Sequence, residues 1–344
     1  MANTKFAPLG KNGPSVPRLG FGLMGMSYPV YGTTPSDEEV FALLDRAVEL
    51  GETFWDTADL YGYNEEMLGR WFKRTEKRDG IFLATKFGIL KDSKTYEIDS
   101  SGPYCKKACE ESLKRLGVDS IDLYYAHGLN FETPVEETMR ALAELKAEGK
   151  IKYIGLSCIT SATLRRAYKI APVDAVQTEY SVFSRRIEGP SGTDLLATCR
   201  ELGVAVVIAT PLGRGLLTST FGTGNLASDE KDMRPKMMPQ FQEENRDKNV
   251  QAVAQFKLLA DKKGCTVSQL ALAWLLKQGH DIFPIPGTKR VKYLEENWAT
   301  LDVSVTDEEE AEIRAFAQTA DLGGDTLPEA YVSHLFRDTR EESS

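Results

Sequence analysis

Eight times along this chain a short apolar run is followed by a stretch with helical periodicity. No other feature restricts the possible folds so strongly. The runs lie at 19–22, 53–56, 81–86, 121–126, 151–156, 173–177, 204–209 and 282–285. Most are continuously apolar, as in Val-Ala-Val-Val-Ile-Ala at 204–209, so both faces of the strand are buried. Strands of that kind belong to a parallel sheet covered by helices. The intervening segments carry helix punctuation. Ser36 with Glu39 forms a capping box, Val40, Leu43, Leu44, Ala47 and Val48 share one face, and Gly51 ends the helix. Thr266 with Gln269 and the run from Thr306 to Glu309 open two later helices. Pro134 reads as the first residue of another helix.

The alternation predicts an α/β fold, a closed (β/α)8 TIM barrel. A chain of 344 residues could hold two domains, but a barrel of this type fills about 250 residues or more by itself. No Pro/Gly/Ser linker divides the sequence, so a single domain, 1–344, is expected. Asn12-Gly13 between two strand-like pieces makes 1–19 an N-terminal hairpin covering the barrel bottom, 20–320 the barrel, and 321–344 a tail. Two long loops, about 87–102 and 216–248, leave C-terminal strand ends, where barrel sites form. The second carries Phe221, Met233, Arg234, Met237, Met238 and Phe241, and reads as a lid.

The net charge of −9 argues against a nucleic-acid partner and against an anionic membrane surface. No signal-peptide core and no membrane-length apolar run is present. Five scattered cysteines do not make a disulfide scaffold, and a reducing, cytoplasmic compartment is the simplest expectation. Cys105 and Cys109 lie one helical turn apart with no histidine nearby, and the three histidines His127, His280 and His334 do not cluster in sequence. No metal site is expected.

Three consecutive strands deliver chemistry to their C-terminal ends. The run at 53–56 ends in Asp56, with Tyr61 five residues on; 81–86 ends in Lys86; 121–126 is followed by His127. A carboxylate, phenol, ammonium and imidazole at one rim have the makings of a proton-transfer site. Taken singly, Asp56 and Lys86 would be an ordinary buried ion pair. A second pattern misleads: Gly20-x-Gly22-x-x-Gly25 matches the dinucleotide fingerprint, yet the chain stays irregular up to Ser36 and Asp45 falls inside a helix.

Asp56, Tyr61, Lys86 and His127 at these strand ends resemble the tetrad of the aldo-keto reductases. Further stretches share the resemblance: Gly155-Leu156-Ser157, the run 176–181, Pro211-Leu212-Gly213-Arg214-Gly215, and 285–297. The run 287–297 is similar to the microbial and fungal branch with long loops. The resemblance implies reduction of a small aldehyde or ketone, with Tyr61 as general acid in reduction and base in oxidation. A Lys86 ammonium beside Tyr61 would lower the phenol pKa, Asp56 would hold Lys86 and keep it charged, and His127 would orient the carbonyl oxygen or relay the proton. It also implies an NADPH or NADP+ cofactor bound without a Rossmann fold. Gly22, Leu23 and Met24 would sit beside the nicotinamide, and Ser157 and Gln177 would bond its amide. Thr210, Leu212, Gly213 and Arg214 would line the pyrophosphate. Thr288, Lys289 and Arg290 would meet the 2′-phosphate, Glu296 and Asn297 the adenine, and Gly287 would also belong to the cofactor site. Two cations and a hydroxyl suit a phosphate dianion, which favours NADPH over NADH.

Three positions depart from the family pattern. Ala209 stands where many members have a tyrosine stacked on the nicotinamide. Cys158 follows Ser157 where Asn or Glu is usual, and Gly128 follows His127 where this branch often has Arg. These changes are expected to tune affinity or substrate shape. A competing expectation is a cofactor-binding regulatory or redox-sensing subunit on the same barrel with slow turnover. The residues leave the natural substrate open, and the assembly as monomer or homo-oligomer.

Overall fold

The computed structural model of the chain describes residues 5–91, 96–224 and 229–342. It opens with an antiparallel hairpin of β1 (Phe6–Pro8) and β2 (Ser15–Pro17), with Ala7 opposite Val16. Eight parallel strands follow: β3 (Phe21–Gly22), β4 (Phe54–Asp56), β5 (Phe82–Phe87), β6 (Ile121–Ala126), β7 (Ile151–Ser157), β8 (Ala175–Thr178), β9 (Ala205–Ile208) and β10 (Ile282–Pro284). Each pairs with its neighbour in chain order. Around them run α1 (Asp37–Leu50), α2 (Asn64–Thr75), α3 (Gly102–Leu116), α4 (Val135–Ala147), α5 (Ser161–Ile170) and α6 (Leu195–Leu202). Two single turns, α7 (Ser219–Gly222) and α8 (Arg234–Met237), precede α9 (Glu243–Lys263), α10 (Val267–Lys277), α11 (Val291–Trp298), α12 (Asp307–Thr319) and the short α13 (Glu329–Val332).

The ring closes between the first and last strands. Gly20 N–H donates to Pro284 O at 2.9 Å, Gly22 N–H donates to Pro286 O at 3.3 Å, and Gly22 bridges Gly287 in parallel. Glycine is required at this seam. A Cβ on Gly22 would lie 2.7 Å from Ile285 O, and one on Gly287 would lie 2.7 Å from Gly22 O. Gly20 and Gly22, the first two glycines of the apparent dinucleotide fingerprint, are therefore barrel-closure residues.

Alternation along the strands builds two cores. Phe54, Ala84, Leu123, Tyr125, Ala175, Ala205, Val207, Phe283 and Ile285 fill the barrel interior. Trp55, Leu83, Tyr124, Ile154, Val176 and Val206 face the helices instead. The Tyr125 ring occupies the space where a Cβ on Gly155 would stand, at 2.2 Å. The hairpin lies at the barrel bottom, as expected: Ala7, Leu9 and Val16 join the interior core, and Lys11 N–H donates to Gly203 O at 2.8 Å.

The capping boxes at Ser36/Glu39, Thr266/Gln269 and Thr306/Glu309 are all formed. Pro134 stands one residue earlier than expected, as the cap preceding α4. α9 begins at Glu243, where Glu243 and Glu244 supply a favourable acidic first turn ahead of the apolar pattern. At the C-terminal face the long segment before α9 folds back onto the loop after β3. Met233 N–H donates to Val30 O at 3.0 Å, Tyr31 bridges Asp232, and Thr33 N–H donates to Asp229 at 2.6 Å. The tail also reaches this face, where Ile159 bridges Arg337 and Arg340 N–H donates to Phe131 O at 2.9 Å.

Candidate active site

The alternation that fills the barrel also assembles the site. One inward step beyond Phe54, Ala84 and Tyr125 come Asp56, Lys86 and His127; one beyond Gly155 and Ala175 come Ser157 and Gln177. The four residues expected to share a site do meet. Lys86 Nζ is ion-paired with Asp56 and donates to Thr57 O at 2.7 Å. Gln177 Nε2 donates to the other Asp56 oxygen at 2.8 Å. The Lys86 ammonium lies 5.1 Å from the centre of the Tyr61 ring. The His127 ring meets Tyr61 edge-on with centroids 5.8 Å apart. Tyr61 itself is held by a short local turn, its N–H donating to Ala58 O at 3.2 Å.

Burial sets the charge states. It pulls Lys86 down and pushes Asp56 up, each shift opposed by the partner's charge. Burial holds His127 well below the ordinary imidazole value, with the Lys86 charge adding to the effect, so the ring is neutral. Its Nδ1 is buried without a partner. The Tyr61 phenol differs from expectation. Burial, reinforced by Asp56, pushes it well above the ordinary value, with Arg214 opposing. Sequence reasoning counted the ammonium and left out desolvation and the carboxylate that already takes up its charge. Tyr61 thus rests protonated, the form a proton donor needs.

A second carboxylate lies behind this group. Asp59 is 4% exposed, its N–H donates to Lys86 O at 3.1 Å, and its Oδ1 has no partner. Burial, reinforced by Glu65 and opposed by Lys91 and Arg115, pushes its pKa up to about 7. Glu65 is matched: it accepts from Thr85 Oγ1 and from Arg115 Nε, both at 2.7 Å.

The residues expected around a cofactor form a continuous rim. Ser157 ends β7 and Gln177 lies in β8. Gly22 lies on the seam, Leu23 N–H donates to Asp56 O of β4 at 2.9 Å, and Met24 opens a 3-10 turn. Thr210 to Arg214 follow β9. The Thr210 hydroxyl and Arg214 Nε are buried without partners, Leu212 is partly buried, and Gly213 O accepts from Gln240 Nε2 at 3.0 Å. Arg214 has a left-handed backbone, φ 59°, and its guanidinium lies 3.8 Å from Glu179. Unpaired buried donors of this kind fit a phosphate-bearing ligand.

Beyond β10, Gly287 lies on the seam and the Thr288 hydroxyl accepts from Arg290 N–H at 3.1 Å. Lys289 Nζ donates to Tyr31 O at 2.7 Å and Thr33 O at 2.8 Å, while Arg290 is exposed at the start of α11. Glu296 accepts from Thr266 Oγ1 at 2.8 Å, and Asn297 is buried. Of the departures, Ala209 is exposed at the mouth, Cys158 has φ 56°, and a Cβ on Gly128 would strike Ile98 at 2.9 Å. Among the described residues, no group of three or more His, Cys, Asp or Glu is placed to hold a metal ion, and no helix is long and apolar enough to cross a membrane.

Sequence reading missed the aromatic wall of the mouth. Tyr28 lies 6.2 Å from Tyr61, and Tyr96 stacks on His334 at 5.8 Å. Tyr331, His334 and Arg337 recur every third residue in the tail, a pattern that carries no meaning until the tail's path is known.

Comparisons with known proteins agree with this architecture. The model of the Aldo/keto reductase family matches residues 18–318. The chain is 47% identical over 330 residues to yakc of Schizosaccharomyces pombe, an aldo-keto reductase named for NADP(+), covering 94% of this chain and 95% of that one. It is 45% identical over 323 residues to the aldo-keto reductase str7 of Strobilurus tenacellus, covering 92% and 94%. Among solved structures, a glycerol dehydrogenase of Gluconobacter oxydans superposes with a TM-score of 0.78 at 28% identity, covering 93% of this chain and 97% of that one. An aldo-keto reductase of Bacillus halodurans in its holo form gives 0.73 at 29%, covering 92% and 97%. With the barrel architecture and these matches in agreement, the chain belongs to the aldo/keto reductase family.

Proposed function

We propose that this enzyme reduces a small aldehyde or ketone to the alcohol with NADPH, and that Tyr61, Lys86, Asp56 and His127 carry the proton transfer. The observation that supports it most is the packing of a protonated phenol against a buried ammonium–carboxylate pair and a neutral imidazole at the open end of the barrel. Ser157 and Gln177 would hold the nicotinamide amide, Gln177 offering its Oε1 while Nε2 stays on Asp56. Thr210 and Arg214 would meet the pyrophosphate, and Thr288, Lys289 and Arg290 the 2′-phosphate. The name of the S. pombe relative supports the choice of NADP(H). When bound, the cofactor supplies hydride to the carbonyl carbon.

Negative charge then develops on the carbonyl oxygen, and Tyr61 gives its proton to that atom. The product phenolate is stabilised by the nearby Lys86 ammonium more than the starting phenol is, which lowers the barrier. Asp56 keeps Lys86 in place, and neutral His127 orients the carbonyl oxygen by hydrogen bonding. In the oxidative direction Tyr61 takes the proton back. The test is Tyr61→Phe, assayed by NADPH oxidation with an activated aldehyde. Loss of about 10²- to 10⁴-fold in kcat is expected, with cofactor fluorescence quenching retained. Full activity in the variant would overturn the assignment.

A further inference from the structure

Arg337 is a cation at the mouth that the proposed machinery does not use. It is pinned through its backbone: its N–H donates to Cys158 O at 3.0 Å, and its carbonyl accepts from Thr160 N–H at 3.1 Å. Its guanidinium donates to Leu129 O at 3.2 Å, one of five available N–H groups. Three other arginines on this face are matched with carboxylates: Arg186 with Asp325, Arg214 with Glu179 and Arg234 with Asp232. Arg337 forms no ion pair among the described residues. The neighbouring Asp338 is taken by the Thr160 and Thr163 hydroxyls. Burial draws the guanidinium pKa down, and only Cys158 and Tyr96 oppose the shift. A half-buried guanidinium with no counter-ion suits an anionic ligand.

Arg337 belongs to the tail and not to the segments proposed to hold the cofactor phosphates. Arg337 packs on the loops after β6 and β7, beside Leu129 and Cys158. The proposed phosphate-binding residues follow β9 and β10. Beside Arg337 stands an aromatic cluster whose members His334 and Tyr96 are within electrostatic reach of the guanidinium. Tyr96 stacks on His334 at 24° between ring planes, and Tyr331 meets both rings edge-on at 5.9 and 5.5 Å. Tyr96, a neutral phenol whose pKa burial pushes up to about 12, is within electrostatic reach of both Tyr61 and Arg337. His334 Nδ1 is buried without a partner.

We propose that the substrate is a carbonyl compound with a flat unsaturated body and a carboxylate, the body lying against Tyr96 and His334 and the carboxylate held by Arg337. This rests on the carbonyl-reductase reading above and names the substrate class of that site. The test compares para- and meta-carboxybenzaldehyde with their methyl esters, which keep shape and ring but lack the charge. In the wild type, kcat/KM for the better acid should exceed that of its ester by about tenfold to a hundredfold, mostly through KM. Arg337→Met should bring this ratio toward one, and Arg337→Lys should retain part of it. Benzoate, which has no aldehyde to reduce, should compete with the aldehyde better than benzamide in the wild type. That comparison stands if the variants fail to fold, as judged by thermal melting. A wild-type acid-to-ester ratio under about threefold, or an unchanged ratio in Arg337→Met, overturns the inference while leaving the reductase reading intact. Refusal of every ring aldehyde while an activated aliphatic aldehyde is reduced also overturns the inference alone; if the activated aldehyde is refused too, the reductase reading fails and takes this one with it.

Discussion

Asp59 offers a quantitative test of how burial sets charge in this site. Its folded-state pKa of about 7 stands above the ordinary 3.8. The folded protein therefore binds a proton over a range where the unfolded chain has already released it. Below the unfolded value both states are protonated and there is no penalty; above the folded value both are ionised and the penalty is complete. Stability attributable to this group must fall as pH rises between the two. A gap of about three pKa units corresponds to roughly 4 kcal/mol in total, of which about 3 kcal/mol falls between about pH 5 and about pH 8. Asp59→Asn keeps the shape and cannot ionise. Relative to wild type, the variant should gain about 3 kcal/mol over that interval, or about 4 °C in Tm for a chain of this length. Thermal melts of both proteins across the pH series would measure it. A Tm difference that stays flat with pH, or that moves against the variant as pH rises, would refute the reasoning and show that Lys91 and Arg115 fully offset the burial of the carboxylate.

Three further outcomes follow from the geometry. Lys86→Met leaves Asp56 buried beside Gln177 without its cation, and chemical denaturation should show a loss of about 3–5 kcal/mol in addition to lost turnover. Arg290→Ala should raise KM for NADPH about tenfold or more and leave KM for NADH nearly constant, because the guanidinium would be free to meet the 2′-phosphate; equal effects on both cofactors would count against that role. Gly287→Ala places a Cβ 2.7 Å from Gly22 O, so the seam must shift, costing about 1–3 kcal/mol, read as a Tm lowered by a few degrees.

Much of this was legible because period and punctuation are local properties. Strand ends and capping boxes lie within a few residues of their cause, so Asp56, Lys86 and His127 could be placed at one rim from the chain alone. The seam role of Gly20 and Gly22 was not legible, since their constraint comes from Ile285 and Gly287 at the other end of the sequence. The Lys289 bonds to Tyr31 O and Thr33 O depend on how an irregular loop folds. The Tyr61 shift was misjudged because the effect of the ammonium can be read from residue types, whereas burial requires the packed mouth. Arg337 and Tyr96 come from a tail and a loop without periodicity, where nothing local marks the partner.

The glycine seam also bears on how the molecule is made. Its bonds are main-chain only, and they join segments more than 260 residues apart in chain order, Gly20–Gly22 and Pro284–Gly287. The cylinder cannot seal until β10 exists, so earlier intermediates carry β3 as an open edge. The hairpin β1–β2 emerges before every barrel strand and can cap the nascent interior, and the open β3 edge is the place for a chaperone to guard.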